Sequence, residues 1–405
     1  MEATIWALVP PILAIIFSLI TKEVNISLLI GILAGAGIYT MFNPFSMLTT
    51  TFDVMSSKVY GNLGVIVFIV LLGMIVHMMN MSGATHKYAE WAKTRLKTKK
   101  TTLLATMFLG IIIFVDDYFN CLTVGTVMKP ITDRNRISRE KLAYIIDSTA
   151  APICIIAPIS SWAAAVSSSL PDGSSIDGFT LFMKSIANNF YSWFSLGMIL
   201  LTTLFATDFG KMRKYELDAE QNGVKVDPSL ETATASADKL SKNVKVIDLI
   251  LPVIALIVFS IISMLYTGGL FEGGVTIGAA FADCDAILGL AMGAAYTVVF
   301  LAILYLPRKI VTPKQFLDGL VEGFKNMVPA TLILTFAWTL SGICGADYLN
   351  AGGFVSATVE KYSIPLNLMP AIFFVVALLL AFSTGTSWGT FAILLPITVE
   401  RIMLV

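Results

Sequence analysis

The chain has 405 residues, 56% of them hydrophobic and 13% charged, with 27 basic and 27 acidic side chains. Its mean hydropathy is +0.81. A soluble domain carries about 25% charge, so the composition excludes a soluble globular protein and implies a polytopic membrane chain. Zero net charge argues against a nucleic-acid partner. The four cysteines, Cys121, Cys154, Cys284 and Cys344, lie far apart in or beside apolar runs, without a C-x-x-C. They read as small core residues, not as disulfides or metal ligands.

The N-terminus, Met1 to Trp6, lacks the basic start of a cleaved signal peptide, so its apolar stretch reads as the first span. Apolar runs then fall at 5–20, 24–42, 62–80, 103–131, 143–165, 186–206, 247–267, 286–306, 327–345 and 370–397. Most match the roughly 20 residues of a spanning helix. The runs 103–131 and 370–397 are longer, and polar residues interrupt each near its middle. His77 lies inside the third run, where it reads as a buried structural histidine or as a proton relay. Trp6, Trp91, Trp193 and Tyr60 sit near span ends, as interfacial aromatic residues do.

Basic residues set the orientation, because cytoplasmic loops carry the excess of Lys and Arg. Loops 81–101, 129–142, 207–246 and 307–326 hold 22 of the 27 basic residues. Loops 166–185 and 268–285 are acidic and belong outside. Two basic loops therefore flank 103–131, a segment that cannot cross the membrane once and is too short to cross twice. It is expected to be a re-entrant helical hairpin with its tip at "FVDDYFN", residues 114–120. Broken backbone at that depth must face protein or a water-filled cavity.

The chain also echoes itself. "VMKPI" at 127–131 pairs with "ILLPI" at 393–397, and "NMSG" at 80–83 with "NAGG" at 350–353. The predicted fold is all-α and polytopic, with inverted repeats that each contain transmembrane helices and a re-entrant hairpin. Residues 1–206 form the first repeat, with five spans and the hairpin 103–131. Residues 207–246 are a cytoplasmic linker given no site, and 247–405 are the second repeat, with three spans and the hairpin 370–397. This second repeat reads as incomplete, and truncation is the expected reason.

Polar groups gather in three places. The first tip offers Asp116, Asp117, Tyr118 and Asn120, with Thr123 and Thr126 behind. "DSTAAPICIIAPISSW", residues 147–162, offers Asp147, Ser148 and Thr149, and Pro152 and Pro158 break its helix and free carbonyls upstream. The second tip offers Ser383, Thr384, Thr386 and Ser387, with no acid. A carboxylate in the hydrocarbon is costly and marks a functional site by default. Desolvation and a neighbouring acid both favour protonation, so such a group can hold a proton or a sodium ion, not both. Mutual exclusion with alternating access is sufficient for antiport. The structural alternative is that Asp116 and Asp117 anchor a membrane surface, and that Asp147 pairs with Lys141.

With "FVDDYFN", "DSTAAPICIIAPISSW" and "FSTGTSWGTFAILLPI", the chain resembles the NhaC family of Na⁺/H⁺ antiporters, in the wider superfamily of ion transporters built from inverted hairpin repeats. The resemblance implies Na⁺ or H⁺ coupling and movement of the hairpins. It carries a cation- and proton-binding role onto Asp116, Asp117, Asn120, Asp147, Ser148 and Thr149, with Asp116, Asp117 and Asp147 as Na⁺ ligands, and extends to the second tip. The family has a polar broken helix after the second hairpin, and the sequence stops before it.

The expected function is a carrier and not an enzyme. It exchanges Na⁺ for H⁺ across the cytoplasmic membrane, with both ions as cargo, no cofactor, and a homodimer allowed. A carrier coupling Na⁺ or H⁺ to malate, lactate or an amino acid is the alternative, and a non-transporting truncated remnant is a second.

Overall fold

The computed structural model describes residues 4–114, 117–167, 178–224, 243–361, 368–384, 387, 390–391 and 394. Asp116 and Thr386 lie outside the described residues, as do the side chains of Tyr118, Thr126, Ser383 and Thr384. No strand occurs among the described residues, so the protein is all-α. In chain order the helices are α1 (Val9–Thr21), α2 (Val24–Tyr39), α3 (Pro44–Gly61), α4 (Leu63–Met81), α5 (Ala84–Arg95) and α6 (Lys99–Ile112). Next come α7 (Asp117–Arg134), α8 (Arg139–Cys154), α9 (Ser161–Ser167), α10 (Gly178–Asn188), α11 (Phe190–Leu204) and α12 (Gly210–Asn222). The last are α13 (Ile247–Thr267), α14 (Ile277–Ala282), α15 (Ala286–Tyr305), α16 (Pro313–Cys344), α17 (Ala351–Lys361) and α18 (Met369–Thr384).

Among the described residues four helices, α4, α13, α15 and α16, are long and apolar enough to cross a bilayer singly. The protein is a multi-pass membrane protein. Along α13, Ile254, Val258 and Ile262 are exposed at a spacing of one turn, while Val253, Leu256 and Met264 are buried. Such a helix is apolar all round because lipid replaces water on its outer face.

Several runs expected as single spans are divided. Residues 143–165 form α8 and α9, separated at Ile155–Ser160 around Pro158. Residues 186–206 divide at Asn189, whose side chain accepts from the Ser192 N–H and caps α11. The run 327–345 is the far part of α16, which starts at Pro313 and passes through Pro329. Helix α3 lies where hydropathy alone gives a loop. Its start is local chemistry: Asn43 Oδ1 accepts from the Phe45 and Ser46 N–H groups at 3.1 Å each, and Pro44 takes the first helical position. Helices α2 and α3 together are long and apolar enough to cross a bilayer and are bent by 120° at their break.

Contacts divide the chain into two compact units, one of residues 1–66, 168–178 and 327–405 and the other of 67–167 and 179–326. Repeats and units are different divisions, the first by likeness of sequence and the second by compactness. In the first unit, α2 packs between α1 and the end of α16. A Cβ on Gly35 would lie 2.7 Å from Ile343 Cγ2 and 3.0 Å from Pro10 Cγ, so only a bare α-carbon permits that approach. In the second unit, α13 and α15 pair along their lengths. The start of α13 and the end of α15 are tied where Asp248, fully buried, meets the Arg308 guanidinium and accepts the Tyr305 hydroxyl at its carbonyl, 3.0 Å away. The order long helix, short helix, then helix leading to a polar tip occurs twice, as α4–α5–α6 and as α16–α17–α18.

Candidate functional site

The segment 103–131 doubles back. Helix α6 ends at Ile112, the backbone leaves the helical region at Ile113, and α7 begins at Asp117. Its two roots meet: Asn135 Nδ2, just past α7, donates to the Leu96 carbonyl just before α6, at 3.5 Å. The arms are thus a hairpin whose break begins at Ile113.

At the break, carbonyls at the end of α6 lose their helical partners. Asn120 replaces them. It is fully buried, and its Nδ2 donates to Gly110 O at 2.7 Å and Ile113 O at 2.9 Å. Two acceptor partners fix the amide orientation, because only the NH₂ end can donate. The Oδ1 is then left buried, with no hydrogen bond from any described residue. Asp117 is buried one turn earlier, in the first turn of α7, where the helix dipole favours an anion.

Helix α8 lies against both arms. Gly110 meets Thr149, and a Cβ there would lie 2.5 Å from Thr149 Oγ1. Gly125 of α7 meets Ile146. This register runs α7 antiparallel to α8 and sets Asn120 near the level of Thr149, with Asp117 a turn farther on, towards Pro152. Thr149 is fully buried and donates to Ile145 O at 2.7 Å. Ser148 is buried. Beyond Pro152 the break in α8 is bridged by Ser160, whose hydroxyl donates to Cys154 O at 2.7 Å and accepts from the Ala163 N–H at 3.1 Å.

The structure therefore brings Asn120 and Thr149 together through Gly110, with Asp117 next to them along α7. Asp147 is elsewhere: it is exposed on the face of α8 opposite Thr149. Lys141 does not pair with it, since Lys141 Nζ meets Asp208 Oδ1 at 2.5 Å. Ser387 is exposed. The rest of the second tip and Asp116 lie outside the described residues, and among the described residues no cluster of three or more His, Cys, Asp or Glu could hold a metal. His77 Nδ1 is 3.3 Å from Asn326 Nδ2 on α16. Gly110 and Ser160 were not singled out by sequence reasoning. The signal for Gly110 was a lone glycine inside an apolar run, and for Ser160 a hydroxyl two residues after a proline.

A profile of the Na⁺/H⁺ antiporter family matches residues 172–403, more than half of the chain. The chain belongs to the Na⁺/H⁺ antiporter family. The match to this transporter family starts after the first hairpin, so Asp117 and Asn120 lie outside it. An uncharacterized protein of Haemophilus influenzae is 33% identical over 98% of this chain and 77% of its own length. No solved structure matches the antiporter chain.

The roots of the hairpin carry a second polar network. Lys99, the first residue of α6, meets Glu216 and Glu220 of α12 at 2.5 Å each. Burial opposes the Lys99 charge, but the two carboxylates outweigh it and raise its pKa above the ordinary lysine value. A raised lysine pKa keeps its stabilising charge at every pH below the unfolded value of about 10.4, and loses it only as pH rises through the folded value. The Lys99 half of this network thus stays charged throughout the neutral range.

A substitution tests the seam between α6 and α8. Gly110→Ala places a methyl against Thr149 and is expected to cost about 1–3 kcal/mol, the usual penalty for overpacking. Thermal unfolding in detergent should show the loss, and Thr149→Gly in the same chain should recover most of it. Equal melting temperatures for Gly110→Ala and the parent would remove this contact from the account.

Proposed function

We propose that this chain is an Na⁺/H⁺ antiporter of the NhaC type in the cytoplasmic membrane, working by alternating access, with its first hairpin break as the cargo site. Family membership supports the reaction class. One observation carries the site: a buried amide oxygen, Asn120 Oδ1, without a hydrogen bond from any described residue, one turn from the buried Asp117 carboxylate. Both are hard oxygen ligands, the type that suits a hard cation such as Na⁺. A proton on Asp117 removes the charge that the cation needs, so the two cargoes compete for one group. Asp116 is a second acid of the same site in this reading, and Ser148 and Thr149 line it from α8. Asp147 belongs to the site only in a state that turns its face of α8 inward. Ser383, Thr384, Thr386 and Ser387 are the corresponding hydroxyl-bearing tip of the second repeat in this reading, with no acid among them.

Everted membrane vesicles test the reaction. Added Na⁺ should dissipate a respiration-driven pH gradient with no organic solute present. If dissipation instead depends strictly on malate, lactate or an amino acid, the chain is an organic-solute exchanger and the antiport reading falls.

A further inference from the structure

Helix α12 sits in a linker that hydropathy leaves featureless, yet Glu216 is 4% exposed, rare for a glutamate on a polar helix. Its carboxylate takes Lys99 Nζ at the root of α6 and the Ser138 N–H at the start of α8, 2.8 Å away. Glu220, one turn on, shares Lys99, and its carbonyl accepts Arg136 Nη1 at 2.9 Å, just past α7. Immediately before α12, Asp208 holds Lys141 of α8, and the Leu204 carbonyl accepts Lys100 Nζ of α6 at 3.2 Å. Every root of the α6–α7 hairpin and the start of α8 is thus held by residues 204–220. Two of these helices, α7 and α8, carry Asp117, Asn120 and Thr149 at their other ends, and α6 carries Gly110, whose carbonyl Asn120 holds.

We propose that α12 is a latch on the cytoplasmic side, in which Glu216 is a positioning residue that grips the hairpin roots and whose release lets the hairpin change its exposure. A buried carboxylate shared between a lysine and a helix-start amide is well suited to this. It is specific in direction, and its loss leaves the Ser138 N–H without this acceptor and Lys99 with Glu220 alone, so the held state is sharply defined. The inference deepens the proposed antiport site, because the hairpin that α12 grips is the one that carries the cargo groups.

Cys121 provides the test. It is exposed and follows Asn120 directly, while Cys154 and Cys344 are buried. With Cys154, Cys284 and Cys344 replaced by alanine, a membrane-impermeant maleimide added to everted vesicles reads how often the tip opens to the cytoplasmic side. Glu216→Gln should raise the labelling rate about tenfold, as expected from losing a charge-assisted bond. Glu216→Asp, which keeps the charge, should return it most of the way. Lys99→Gln removes the same pair from the other side and should reproduce the rise if Glu216→Gln inserts poorly. Unchanged labelling in inserted Glu216→Gln or Lys99→Gln protein overturns the latch, as does a rise equally large in Glu216→Asp. Labelling needs neither Na⁺ nor a pH gradient. A wild-type chain without Na⁺/H⁺ exchange would sink the antiport reading while leaving the latch result standing, and exchange with invariant labelling would do the reverse.

Discussion

Asp117→Asn is expected to reduce Na⁺-driven dissipation of the pH gradient to background in everted vesicles, while the protein inserts at the wild-type level. The reason is chemical and not structural. The amide has nearly the same shape and can stay at the first turn of α7, so the hairpin should form. What it lacks is the ability to exchange a proton for a cation. Desolvated acids in membranes are expensive to keep, and the cost is sustained only where the charge is used. Asp117→Glu keeps the charge on a longer arm and should retain measurable exchange. The parallel substitution Asp116→Asn reads the second acid of the pair, since neighbouring carboxylates titrate together. Normal exchange in both asparagine variants would end the carboxylate assignment.

The second large effect is expected at Asn120. Alanine there leaves the Gly110 and Ile113 carbonyls buried without donors. Each such loss costs about 1–3 kcal/mol, so Asn120→Ala should lose about 2–6 kcal/mol and the exchange with it. Asn120→Asp separates two explanations of the residue. If Asn120 served only as a cation ligand, an added carboxylate would tighten Na⁺ binding. A carboxylate cannot donate to the two carbonyls, however, and would face them with like polarity. Asn120→Asp is therefore expected to be as damaging as alanine, in both melting temperature and exchange. A stable, tighter-binding Asn120→Asp protein would show that the break is held by something other than this amide.

Both predictions depend on a hairpin whose existence was legible from charge. Two basic loops around an apolar segment of intermediate length permit few other paths, and the meeting of Asn135 with Leu96 is the contact that such a path requires. The sites of chain breakage were legible too, at Pro158 and at the polar tip. The start of α3 could have been read from Asn43 and Pro44, but hydropathy suppresses it, because "SMLTTTFDVMSSK" is too polar to score as a span. The linker shows the opposite failure. A polar, mixed-charge helix such as α12 reads as solvated in any one-dimensional scale, and only a partner distant in sequence, such as Lys99, makes Glu216 a buried residue.

By itself the sequence determined that this protein lives in a bilayer, that the segment between two basic loops doubles back, and where the backbone must break. Those follow from transfer energies, charge placement and proline geometry, all of which act locally along the chain. Tertiary structure alone decided which polar groups meet. Asp147, Ser148 and Thr149 are consecutive, yet the 100° turn per residue of a helix sends Thr149 to Gly110 and Asp147 to the opposite face. Lys141 had an acid within two turns on its own helix and took Asp208, 67 residues away, because partners are set by packing and not by spacing.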